Sequence, residues 1–159
     1  MGEITIRTWI DAPVELCFDL ARDVAAHVES AAFSGERLVE PGKLGGILET
    51  GDLVCFEGRH FGLRRRFCAR ITHVDRPRVF VDEMVEGIFK ELCHAHWFSP
   101  LDGGTLMTDH LTWRAPLGAL TDALFLTRHM SWFVRTKQEG LKRIAERVNT
   151  QASSAAARN

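Results

Sequence analysis

The chain has 159 residues, of which 45% are hydrophobic and 26% are charged. This composition is ordinary for one globular domain, and a chain of this length buries enough surface to form a core. The formal net charge of −1 provides no overall attraction to nucleic acid or to an anionic membrane, so it disfavours functions that depend on either. No segment approaches the ~20 apolar residues of a spanning helix.

The N-terminal residues alternate polar and apolar side chains and contain no long apolar stretch like that of a secretory signal. We therefore expect a cytoplasmic protein without stable membrane insertion. The four cysteines, Cys17, Cys55, Cys68 and Cys93, form no Cys-x-x-Cys pair and lie among apolar neighbours. We predict that all four are reduced thiols that behave as small buried hydrophobic groups.

The first predicted element is a strand at Glu3–Ile10, where polar and apolar residues alternate with period two. Asp11-Ala12-Pro13 ends this strand and starts a helix, because proline fits the first helical turn. Apolar residues at helical spacing then predict two short helices that end near Ser30.

Between Ser34 and about Arg114, the helical periodicity gives way to short extended runs separated by glycine, proline and aspartate. Because short turns join these runs, we expect them to form an antiparallel sheet. The six predicted strands lie at Gly35–Glu40, Asp52–Arg59, Arg65–Val74, Val79–Val85, Phe89–Ser99 and Thr105–Arg114.

A helical stripe of apolar residues runs from about Ala119 to Val148 and includes Leu124, Val134 and Leu141. A stripe of this length predicts one long helix that packs against the sheet.

Gly140 lies inside this predicted helix, where glycine costs ~1 kcal/mol relative to alanine. Its presence indicates a bend or the close approach of another backbone. Residues 150–159 continue with alanine, serine and polar residues and lack the apolar stripe. We therefore expect a single domain at residues 1–149, followed by a disordered tail.

The order of these elements and a series of short motifs resemble the START-like superfamily, also called SRPBCC, which has the helix-grip fold. More narrowly, the chain resembles small bacterial ligand-binding SRPBCC proteins of the type often labelled cell-division inhibitors. The motifs are Ile10-Asp11-Ala12-Pro13-Val14-Glu15, Phe18-Asp19-Leu20, Arg59-His60-Phe61-Gly62, Ile71-Thr72, Asp75-Arg76-Pro77-Arg78-Val79-Phe80-Val81-Asp82-Glu83-Met84, Gly87-Ile88-Phe89, His94-Ala95-His96-Trp97-Phe98, Thr105, Met107-Thr108-Asp109, Pro116-Leu117-Gly118, Arg135 and Leu141.

This resemblance implies an α+β helix-grip fold. A curved antiparallel sheet of about six or seven strands, with two short helices after the first strand, lies under a long C-terminal helix. The resemblance also implies a hydrophobic ligand cavity between the sheet and that helix. It implies no single activity, because members of the superfamily include lipid carriers, hormone receptors, polyketide cyclases and oxygenase domains.

Two histidines, His94 and His96, lie two residues apart in a predicted strand and therefore project from the same face, as does Phe98. On the next strand one face carries Asp109. If both faces point inward, this carboxylate approaches the two imidazoles. The same face of the second strand also carries Met107, Leu111 and Trp113.

The two histidines and the aspartate allow three interpretations. Two imidazoles and a carboxylate can bind a metal, but the glutamate expected a few residues further in a cupin-like His-x-His motif is missing. We therefore predict no metal and no cofactor, and favour a His–Asp hydrogen bond that stabilises the sheet or the pocket wall. The same residues can act as general base and orienting group in an enzyme.

A basic cluster, Arg64-Arg65-Arg66, follows the first strands of the predicted sheet. We interpret it as a solvated edge or turn that pairs with Glu57, Asp75 or Asp82. No aromatic platform is interleaved with these arginines, which disfavours binding of nucleic acid.

We predict a protein that binds or carries a small hydrophobic or aromatic ligand in the cavity. The alternative is a polyketide cyclase- or dehydratase-like enzyme in which His94 or His96 acts with Asp109. The cavity mouth is expected near either Gly58–Gly62 or Pro116–Gly118. The predicted ligand-binding residues are His94, His96, Phe98, Met107, Asp109, Leu111, Trp113, Phe125, Met130 and Phe133.

Overall fold

A computed structural model describes residues 1–60, 63–115 and 120–158. Its seven strands form one antiparallel sheet in the order β1-β7-β6-β5-β4-β3-β2, and the predicted α+β helix-grip fold is confirmed. The elements are β1 (Gly2–Ile10), α1 (Val14–Arg22), α2 (Val24–Ser30), a 3-10 turn (Ala32–Ser34), β2 (Arg37–Leu38), β3 (Leu53–His60), β4 (Leu63–Asp75), β5 (Val79–Glu86), β6 (Glu91–Leu101), β7 (Gly104–Arg114) and α3 (Leu120–Ala156).

Strand β1 shows how the sheet acquires an inner face. Its burial alternates strictly, with Ile4, Ile6, Thr8 and Ile10 buried between exposed neighbours. This strand pairs with β7, so the first and last strands of the chain lie side by side. The inner face of β1 contacts α3, which therefore lies over the sheet.

The two short helices follow from local signals in the sequence. Helix α1 begins directly after Pro13, and the carboxylate of Asp23 caps α2 by accepting a hydrogen bond from the backbone N–H of Ala26 at 2.8 Å. Phe18 of α1 is fully buried and makes edge-to-face contacts with Phe80 and Phe98. One part of the core therefore lies between α1 and strands β5–β7, and two further buried clusters lie elsewhere on the sheet.

Helix α3 is longer than the sequence predicts and continues to Ala156. Its side chains from Thr150 onward are exposed. Two residues of the predicted apolar stripe face solvent, since Leu124 is 81% exposed and Phe125 is 63% exposed. Leu126 and Met130 are partly buried against the core, and Val134 is buried. Among the described residues, no helix combines the length and the apolar character that crossing a membrane requires.

Gly140 allows α3 to contact the end of α2. A Cβ at this position would lie 2.6 Å from the carbonyl oxygen of Ser30 and 2.8 Å from its Cα. The close backbone approach that the sequence suggested is therefore present.

The cysteine prediction is wrong for two of the four residues. Cys55 and Cys68 form a disulfide, whereas Cys17 and Cys93 are free. The two bonded residues lie directly opposite each other in the β3–β4 pairing. Because 13 positions separate them in the chain, only the register of the hairpin brings the thiols together.

Two sequence expectations cannot be followed in the structure. Pro116–Gly118 lies outside the described residues, as do Phe61 and Gly62 of the range Gly58–Gly62. Both proposed positions of the cavity mouth include these residues.

The substitution Gly140→Ala tests the contact between α3 and α2. Helix propensity alone would stabilise the variant by about 1 kcal/mol. The clash with the Ser30 backbone should instead destabilise it by about 2 kcal/mol, which equilibrium urea unfolding measures. Gly45→Ala is the control, since no heavy atom lies within 4 Å of a Cβ at that position. A more stable Gly140→Ala variant would contradict the close packing.

Candidate functional site

A cavity lies between the inner face of the sheet and α3. It offers about 150 Å³ to the centres of water-sized molecules, whereas one water needs about 10–15 Å³ by the same measure. Most of its wall is apolar and comes from strands β3–β7 and from α3. Representative apolar lining residues are Phe56, Phe67, Ala69, Ile71, Leu92 and Leu111.

Four polar side chains of three neighbouring strands meet in the cavity wall. Asp82 projects from β5, His94 and His96 from β6, and Asp109 from β7. In the strand pairing, His94 lies opposite Asp82 and His96 lies opposite Asp109. All four side chains therefore share the inner face of the sheet.

Both ring nitrogens of His96 bind carboxylates. Nδ1 lies 2.8 Å from Oδ1 of Asp109, and Nε2 lies 3.0 Å from Oδ2 of Asp82. The ring also stacks on Phe80, with 4.1 Å between the ring centroids. These contacts hold the imidazole in one orientation and confirm the predicted His–Asp hydrogen bond.

Electrostatics favour the charged form of this cluster. Burial alone would lower the pKa of His96, but the charge and hydrogen bonds of Asp109 and Asp82 outweigh it and raise that pKa to about 9. Burial alone would raise the pKa values of both carboxyl groups, yet the interactions with His96 lower them. We therefore describe His96 as an imidazolium ion between two carboxylates at neutral pH.

His94 differs from its neighbour because its Nε2 is inaccessible to solvent and has no hydrogen-bond partner among the described residues. The nearest carboxylate oxygen, Oδ2 of Asp109, is 3.6 Å away, which is too far for a hydrogen bond. Burial lowers the pKa of His94, and the positive charge of His96 lowers it further. His94 is therefore neutral at pH 7, and its Nε2 is a buried, unpaired nitrogen of a residue that lines the cavity.

A second polar group reaches the cavity from the helical side. Lys137 of α3 places its Nζ 2.8 Å from Nε2 of His27, which belongs to α2. Burial and the charge of Lys137 hold the pKa of His27 well below its usual range, so this nitrogen accepts the hydrogen bond. Glu36 also lines the cavity, and burial raises its pKa against the opposing effect of Lys137. The cavity is thus polar at two places rather than one.

Seven of the ten predicted ligand-binding residues line this cavity, and three do not. Phe98 packs against Phe18 in the core, and Trp113 is buried beside Phe89. Phe125 is 63% exposed, whereas the next residue, Leu126, packs against buried residues of the sheet. The seven lining residues are His94, His96, Met107, Asp109, Leu111, Met130 and Phe133.

Asp82 was one of three alternative partners predicted for the basic cluster, and the structure places it in the cavity wall instead. Asp82 binds His96, while Glu57 pairs with Arg37 at 2.7 Å. Strand alternation placed Asp82 on the face that carries Phe80, and this signal was available in the sequence. Arg66 donates to the backbone oxygen of Glu40 and, like Arg65, lines the cavity.

Three of these side chains meet the geometric requirement of a metal site. Asp82, His94 and His96 each offer one ligand atom, and these atoms lie within 4.8 Å of one another. Two imidazoles and one carboxylate suit a first-row transition metal.

No protein-family model matches the chain, and no curated protein is similar enough in sequence to match it. Solved structures with less than 25% identity share its fold. The chain is similar to the protein TTHA0849 from Thermus thermophilus, with 19% identity, a TM-score of 0.74, and coverage of 89% of this chain and 95% of that protein.

A START superfamily protein from Mycobacterium smegmatis is 12% identical, with a TM-score of 0.74 and coverage of 93% of this chain and 99% of that protein. The major latex-like protein 151 of Panax ginseng is 16% identical, with a TM-score of 0.67 and coverage of 91% and 97%, respectively. These likenesses establish the START-like fold, while the narrower resemblance to proteins labelled cell-division inhibitors stays a prediction.

The charged cluster predicts how stability depends on pH in the presence of a metal chelator. The pKa of His96 is raised to about 9 in the folded protein, against about 6.5 in the unfolded chain. Protonated His96 contributes fully to the free energy of unfolding below the pKa of the unfolded state. This contribution is lost as the pH rises through the pKa of the folded state. The free energy of unfolding should therefore fall by about 3 kcal/mol between these limits.

Urea unfolding across this pH range measures the decrease. Asp109→Asn removes the charge that contributes most to raising the pKa of His96, so the slope should flatten. His110→Gln is the control, because the His110 side chain is 39% exposed and should leave the slope unchanged. Stability that stays constant or increases over this range would contradict the imidazolium description.

Proposed function

We propose that the protein binds a compact, largely apolar molecule, about one aromatic ring in size, in the cavity between the sheet and α3. The observation that carries this proposal is a cavity of about 150 Å³ with mainly apolar walls. An engineered apolar cavity of about 150 Å³ in another protein binds benzene. Burial of the ligand's apolar surface would provide most of the binding energy.

The polar groups in the wall would orient the ligand. His94 Nε2 is unpaired on the sheet side, and Lys137 lines the opposite side from α3. A hydroxyl or carbonyl group on the ligand can hydrogen-bond to one of these groups while the ring lies against the apolar wall. Since an unpaired buried polar atom costs free energy, a partner supplied by the ligand increases both affinity and specificity.

Native mass spectrometry of the purified protein, compared with its denatured mass, tests for a copurified ligand. Binding of phenol and toluene by calorimetry tests the size and polarity of the cavity directly. We expect phenol to bind more tightly than toluene, because only phenol can pair with the polar wall.

Filling the cavity should weaken binding. Ala69 is buried and lines the cavity, so Ala69→Leu should reduce the affinity for phenol by about tenfold, equivalent to roughly 1.4 kcal/mol. Ala25→Leu, at an exposed position of α2, is the matched control and should bind as the wild type does. If both variants bind phenol with equal affinity, the ligand does not lie in this cavity. If the wild type binds neither phenol nor toluene, the proposed ligand size is wrong.

A cyclase- or dehydratase-like enzyme is the second candidate function, and the unpaired nitrogen of His94 favours it. Both nitrogens of His96 are already occupied by carboxylates, so His94 is the imidazole that can act on a substrate once its ring turns the buried Nε2 toward the cavity. In such an enzyme, His94→Gln should retain substrate binding and lose turnover. In a carrier, the same variant should only weaken binding, and mass spectrometry should find the bound compound unchanged.

A further inference from the structure

We propose that Asp82, His94 and His96 form a binding site for one divalent first-row transition metal, such as Zn²⁺, in the sheet wall of the cavity. The ligand atoms are Oδ2 of Asp82 and Nε2 of each histidine. This site does not depend on the proposed organic ligand, because all three side chains belong to the sheet.

The distances need only small side-chain movements. Oδ2 of Asp82 lies 3.0 Å from Nε2 of His96, and all three ligand atoms lie within 4.8 Å of one another. Ligand atoms of a tetrahedral zinc site with bonds of about 2.0–2.1 Å are about 3.3 Å apart. Rotation of His94 toward the other two residues completes the triangle.

The unpaired nitrogen of His94 supports a bound cation rather than a closed hydrogen-bond network. Its Nε2 is buried without a hydrogen-bond partner in the described part of the chain. Buried polar atoms are normally paired, and each exception requires an explanation. A metal ion held by Asp82 and His96 would provide this partner.

Asp109 would contact a metal ligand rather than the metal itself. It accepts a hydrogen bond from Nδ1 of His96 at 2.8 Å, so Nε2 is the nitrogen of His96 that can bind the metal once the ion displaces its proton. Carboxylate–histidine–metal arrangements of this kind fix the orientation of the ring and strengthen the ligand. The sequence analysis considered Asp109 as a metal ligand, but the strand geometry assigns that role to Asp82.

The charges of Asp82 and Asp109 also favour a bound cation. Within the described residues, no lysine or arginine lies within ion-pairing distance of Asp82 or Asp109. The His96 imidazolium balances one of the two carboxylates, whereas a divalent cation that displaces its Nε2 proton would balance both. Three protein ligands also leave a fourth position open toward the cavity, which is the arrangement found in catalytic rather than structural zinc sites.

Titration of the chelator-treated full-length protein with Co²⁺ and Zn²⁺ tests this site without any organic ligand. We expect one ion per chain, with the visible absorption of four-coordinate Co²⁺ and a Zn²⁺-dependent increase in the melting temperature. Asp109→Asn should weaken binding by about 10–100-fold, as loss of an outer-shell partner does.

His94→Gln is the decisive variant because it removes a metal ligand without breaking a hydrogen bond of Nε2. Its melting temperature in chelator should match that of the wild type, while Zn²⁺ affinity should fall by more than about 100-fold. His110→Gln, at a half-exposed position of β7, should bind as the wild type does. Absence of saturable one-to-one binding by the wild type, or wild-type affinity in His94→Gln, would overturn the proposal.

Discussion

A buried bridge of carboxylate, imidazole and carboxylate joins the three central strands. His96 of β6 binds Asp82 of β5 on one side and Asp109 of β7 on the other. Charged groups in a buried wall are strongly unfavourable without partners. A slip of one residue in either strand pairing would turn these side chains to the outer face and leave the remaining charges unpaired. The same register that aligns the sheet therefore assembles the polar wall of the cavity.

The packed core and the cavity meet at this bridge. Phe18, Phe80 and Phe98 fill the region beneath α1, and Phe80 also stacks on His96. The cluster is thus supported from behind by aromatic packing, while its front faces the cavity. His96 is therefore preorganised, because its ring need not be ordered when a ligand or a metal ion binds.

The histidines and Asp109 were accessible from the sequence, since residues two apart in a strand share a face and neighbouring strands pair. Asp82 follows the same rule but was named only as one possible partner of the arginines, because the sequence does not indicate which acidic residue lies near them. Lys137 and His27 lie on different helices. Their contact depends on how α2 and α3 cross, which helical periodicity does not specify.

The sequence by itself determined the order of the elements and the antiparallel sheet, because these follow from local periodicity and from turn residues. It also showed which residues of a strand share a face, and it left Gly140 open between a bend and the close approach of another backbone. The tertiary structure alone decided the Cys55–Cys68 disulfide, the burial of Trp113 outside the cavity and the exposure of Phe125. These features depend on the strand register and on the position of α3 over the sheet. Both are set by contacts between residues far apart in the chain, which no local pattern encodes.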